Sequence, residues 1–170
     1  MRLALILCLL FSGLTIGAAF AADPIQPDPK LTPGAVLTTD AARVCKRDYA
    51  KSVRHTSLAL KREVYDEYGI EWVPGGYEID HLIPLGIGGA DVKENLWPQS
   101  HHTPVWNAET KDRLEWKLHK LVCSHRLDIQ EAQRAVATDW IAAYKRFCPH
   151  KRDCPAYDED VGRLKLANGS

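Results

Sequence analysis

The sequence carries no excess of either charge: 22 Lys and Arg stand against 22 Asp and Glu in 170 residues. That balance excludes a protein that grips nucleic acid through bulk positive charge, though not one with a local basic patch. There is no Cys-x-x-Cys pair, so the usual frame of a structural zinc site is missing. Internal repeats are absent, and no segment after residue 22 is long and apolar enough to span a bilayer. Apolar residues make up 45% of the chain and charged ones 26%, which excludes wholesale disorder and suits one globular domain with tails.

At the N-terminus, Arg2 precedes a continuous apolar run from Leu3 to Leu14, and Ala19-Phe20-Ala21 fits a small-x-small cleavage pattern. The run is short for a span of about 20 residues and nothing basic stops it. Residues 1–21 are therefore expected to be a signal peptide. The mature protein is expected to be periplasmic or secreted, with no stable membrane association. Cys8 leaves with the signal, and Cys45, Cys123, Cys148 and Cys154 remain. An even number in an oxidising compartment favours disulfides, with three connectivities open. A local Cys148–Cys154 loop with a long Cys45–Cys123 staple is the favoured pairing.

Four prolines between residues 22 and 38 make that stretch read as an extended linker. A short helix is expected near Asp40, and a longer one over Thr56 to Tyr68, where Leu60, Val64 and Tyr68 stack and Gly69 stops it. Pro74-Gly75-Gly76 reads as a turn, Tyr77 to Leu85 as a short strand, and Leu96-Trp97 as a second. Pro104 suits the first turn of a helix running to about Ser124, with Trp106, Leu114, Leu118 and Leu121 along one side. Asp128 opens a final helix to about Phe147. Residues 149–170 read as a loose polar tail. The class is α+β: one mostly helical domain, residues 39–148, around a small hairpin.

The informative stretch is Tyr77-Glu78-Ile79-Asp80-His81-Leu82-Ile83-Pro84-Leu85, then Gly88-Gly89, Asn95-Leu96-Trp97-Pro98, Asn107-Ala108 and Lys111-Asp112. An Asp-His pair at a strand end can divide two jobs. The carboxylate holds a hard divalent cation, while the imidazole, with a free pKa near 6.5, takes a proton from water. Asn107, in the first turn of the next helix, offers a neutral oxygen as a second ligand. So few protein donors leave room for water and phosphate oxygens, as magnesium prefers.

This ordering resembles the HNH endonucleases of the ββα-metal type, and the similarity extends over about residues 44–147. The resemblance implies a ββα-metal hairpin and helix at the centre of the domain. It implies His81 as general base, Asp80 as metal ligand, Asn95 as the residue that holds the hairpin loop and orients the histidine, and Asn107 as second metal ligand. Asn stands at Asn107 where the family's letters have His. That shifts the expected cation from zinc towards magnesium, with manganese or calcium as alternatives. His101 and His102 are rival ligands. The implied reaction is hydrolysis of a DNA phosphodiester, leaving 5′-phosphate and 3′-hydroxyl ends. RNA is a second candidate substrate.

Lys51 and Arg54 belong to a basic cluster ahead of the site, and Lys111 lies one turn beyond Asn107, the best single candidate for a phosphate contact. No recognition helix, zinc finger or aromatic platform is visible in the sequence, so cleavage with little sequence preference is expected. Two other functions fit less of the sequence. One is a catalytically inactive protein that binds nucleic acid or an envelope partner on the same fold. The other is a metal-storage or metal-sensing protein using His101 and His102.

Overall fold

The computed structural model describes residues 24–155, 157–158 and 163–164; the expected signal peptide lies outside them. Two short helices, α1 (Ala41–Val44) and α2 (Tyr49–Ser52), lead to α3 (Leu58–Tyr68). The hairpin strands β1 (Tyr77–His81) and β2 (Leu96–Ser100) follow, then α4 (Ala108–Cys123) and α5 (Ile129–Phe147). The architecture is α+β, with a two-stranded antiparallel sheet among helices.

Local chemistry sets most boundaries. Ser57 caps α3 through its side chain, and Gly69 ends it in the left-handed conformation at φ 61°. Asp40 and Asp128 cap α1 and α5 in the same way. The helix expected from Pro104 begins later, at Ala108. The Thr103 and Thr110 hydroxyls bond the carbonyls of Trp106 and Val105, holding this stretch as a bend, and Asn107 becomes the cap. β1 is also shorter than expected, ending at His81, because the chain turns there to close a loop around Asn95.

α5 is interrupted at Asp139 (φ −165°, ψ 100°), whose Oδ1 accepts the Ile141 and Ala142 N–H groups as a cap would. Gln26 donates to the same oxygen at 2.6 Å. Gln26 belongs to the proline-rich stretch, which turns at Asp28–Thr32, where the Thr32 N–H bonds the Asp28 carbonyl, and is tied to the domain. Trp140 Nε1 donates to the Ile25 carbonyl at 2.8 Å, and Thr32, 1% exposed, donates to the Leu96 carbonyl at 2.7 Å. Residues 24–38 form a strap across the domain. Prolines suit it because they hold the chain extended and remove donors that would need partners.

The main core joins Trp97, Leu114, Leu118, Val122, Val136 and Trp140, so the hairpin, α4 and α5 share one interior. A smaller cluster of Val64, Tyr65, Ile79 and Leu96 seats α3 on the hairpin's other face. Both favoured disulfides are present, Cys45–Cys123 across 78 residues and Cys148–Cys154 across 6. Beyond the latter, a two-residue ladder pairs Tyr157–Asp158 with Arg163–Leu164. No described helix is long and apolar enough to cross a membrane.

Candidate active site

The hairpin pairs Asp80 with Trp97 and His81 with Leu96, and the loop between the strands closes on Asn95. Asn95 is wholly buried. Its Oδ1 accepts the Ile83 N–H at 2.9 Å, and its Nδ2 donates to the carbonyls of Ile83 (2.9 Å) and Ala90 (2.8 Å). Two glycines permit so tight a loop. Gly88 has φ 89°, and a Cβ there would lie 2.2 Å from the Thr38 carbonyl oxygen; one on Gly89 would lie 1.8 Å from that of Ile83. Asn95→Ala would leave three buried backbone groups without partners. A stability loss of about 3 kcal/mol is expected in urea unfolding, and a loss under 1 kcal/mol would remove Asn95 from this role.

His81 is 3% exposed, and its Nε2 lies 2.7 Å from Asp91 Oδ1. Asp91 also accepts the Thr56 hydroxyl and the His55 N–H, both from the segment entering α3. Burial holds the His81 pKa below its ordinary value, even though Asp91 and Asp80 favour the charged form. Burial pushes the Asp91 carboxyl up, but its hydrogen bonds outweigh that and hold it below the usual range. Asp91 was missed in the sequence. The available signal was a carboxylate ten residues beyond His81, just past the glycine turn.

Asp80 meets Lys111, whose Nζ lies 2.6 Å from Asp80 Oδ2 and donates to Glu115 Oε1 (2.5 Å) and to the His81 carbonyl (2.7 Å). Lys111 is 1% exposed, which corrects its expected place as a surface phosphate contact. It lies one turn inside α4 on the face that packs against the hairpin. Burial works against its charge, but the Asp80 and Glu115 carboxylates outweigh that and keep it protonated. Around it, negative charge is crowded. Burial, then Asp80 and Asp112, raise Glu78 to about 7; burial, with Asp80 and Asp112 adding to it against Lys111, raises Glu115 to about 8.

These groups open on a cleft of about 1130 Å³ lined by Glu78, Asp80, His81, Asp112 and Glu115, with Arg54 also reaching it. Of the predicted site residues, Asp80, His81 and Arg54 come together there. Asn95 supports the loop behind His81. Asn107 does not line the cleft, and its amide oxygen accepts the Thr110 N–H at 3.0 Å as the α4 cap. Lys51 is exposed and outside the cleft, as are His101 and His102, with His101 3.7 Å from Glu78.

The oxygen donors beside His81 suit a hard divalent cation better than zinc. Asp80 and Glu115 share one ammonium ion, and the Asn107 amide oxygen is taken up as the α4 cap. Among the described residues, three His, Cys, Asp or Glu ligand atoms come within 4.8 Å of one another only at Cys45, His119 and Cys123, where both sulfurs are in a disulfide. Compared with models of known families, with curated proteins and with solved structures, the chain matches none.

Proposed function

We propose that the protein is an exported, metal-dependent endonuclease of the ββα-metal type, hydrolysing DNA phosphodiesters with little sequence preference. The observation that carries this reading is the His81–Asp91 pair, 2.7 Å apart at the end of β1, beside the Asp80 carboxylate and on the wall of an open cleft. The signal-like N-terminus and the two disulfides support export.

Asp91 accepts the Nε2–H of His81, which fixes the tautomer and leaves Nδ1 as the basic nitrogen. Nδ1 takes the proton of the water that attacks phosphorus. Burial keeps the imidazole neutral, the form that can accept that proton. Asn95 holds the loop and Lys111 holds the His81 carbonyl, so the backbone that carries the ring is fixed at two points. Asp80 and Glu115 would hold the divalent cation. Such an ion, when bound, stabilises charge on the phosphate and on the leaving oxygen.

One observation favours the alternative of a catalytically silent binding protein. The Lys111 ammonium already pairs with both Asp80 and Glu115 without a metal. Relaxation of supercoiled plasmid separates the two. The nuclease nicks the plasmid with magnesium, stops with chelator, and is lost in His81→Ala. Plasmid left intact at high protein and metal concentration would overturn the nuclease and favour the binder.

A further inference from the structure

The cleft has a second wall that the proposed chemistry does not use. Trp72, in the segment between α3 and β1, lines it while remaining 61% exposed, and Leu58 at the start of α3 lines it at 72% exposed. An indole left this open gains nothing for the core; Trp72 belongs to neither hydrophobic cluster. Arg54, Lys61 and Arg62 reach the same cleft, are exposed, and make no ion pair among the described residues. The contrast with Lys93 is informative, because that lysine is clamped by Glu63 and Glu67 of α3.

We propose that this wall binds single-stranded nucleic acid: Trp72 stacks on an unpaired base, while Arg54, Lys61 and Arg62 hold the phosphates beside it. The proposal rests on the reading of the cleft as a phosphodiester site and names the substrate form it takes. An indole on a cleft wall meets a base face only when that base is out of a duplex, since the base faces of a helix are stacked on one another and it presents sugar and phosphate to the outside. Asp66 and Glu71 also reach the cleft. They repel phosphate, so the uncharged ring beside Glu71 in the chain suits a base rather than the backbone. Stacking accepts any base, in keeping with low sequence preference.

The test measures binding and cleavage separately, on the full disulfide-bonded chain. Anisotropy of a labelled 12-nucleotide single strand and of the matching duplex is followed with His81→Ala protein in chelator. The single strand is expected to bind at least tenfold more tightly. Adding Trp72→Ala should weaken single-strand binding roughly 5- to 150-fold and duplex binding less than twofold, with Trp72→Phe restoring most of the loss. Circular dichroism and an unchanged melting temperature check that the variants fold. Equal losses on both substrates, no loss on either, or no single-strand preference would overturn the proposal. The nuclease reading fails differently. If wild-type protein cleaves without strand preference, the nuclease stands and the platform falls. If Trp72-dependent single-strand binding occurs with no cleavage, the platform stands and the nuclease falls.

Discussion

Replacing His81 by alanine is expected to lower phosphodiester cleavage by at least about 10²–10⁴-fold, the usual contribution of a positioned general base. The variant should still fold. Asp91 keeps its bonds from Thr56 and His55, and Asn95 still closes the loop. A rate within tenfold of wild type, from protein with native circular dichroism, would remove His81 from the chemistry. The pH profile adds an independent check. Neutral imidazole is the active form, and burial lowers its pKa. The midpoint of the acid-side decline in rate should therefore lie below the ordinary imidazole value. Asp91→Asn offers a second handle. An amide can donate to Nε2 and force the ring proton onto Nδ1, so a loss on the order of 10²-fold or more is expected with little change in fold.

Removing the Cys45–Cys123 bridge is the largest stability change expected. It closes a loop across 78 residues, joining the chain just after α1 to the end of α4. Loop-closure entropy gives about 4.5 kcal/mol for a loop of that length, against about 2 kcal/mol for the six-residue Cys148–Cys154 loop. The Cys45→Ser/Cys123→Ser double variant should melt about 10–20 °C below wild type in a calorimetric scan, and the Cys148→Ser/Cys154→Ser pair several degrees below. Equal shifts for the two pairs would rule out chain entropy as the cause. His119 lies 3.4 Å from Cys123 and lines the cleft, so loosening this staple is also expected to disturb the part of the wall that His119 forms.

Helices with a clear apolar period and a start or stop signal were readable: α3, expected over Thr56 to Tyr68 with Gly69 as its stop, and α5 from Asp128. Asp80, His81 and Asn95 could be picked out because they sit in one short, motif-dense stretch. What the sequence hid depends on contacts across the chain. Lys111 has the spacing of a surface contact, and only the packing of α4 on the hairpin turns it inward to Asp80. Asp91 is one carboxylate among many until Thr56 and His55 arrive from the segment before α3. Trp72 is a lone aromatic between a helix and a turn, with no period to say which way it faces. The strap over residues 24–38 looked like a linker because its prolines announce extension, while its partners at Leu96, Asp139 and Trp140 lie far along the chain.

That strap bears on the order in which the molecule can be completed. Ribosomes release Ile25 and Gln26 early, but their partners, Trp140 and Asp139, emerge more than a hundred residues later. The first-made end must wait, undocked, for nearly the last-made helix. Long-range closure of this kind slows folding. Until α5 is made, Ile25 and Gln26 have neither of these partners, so any earlier folding intermediate lacks the clasp between the strap and that helix.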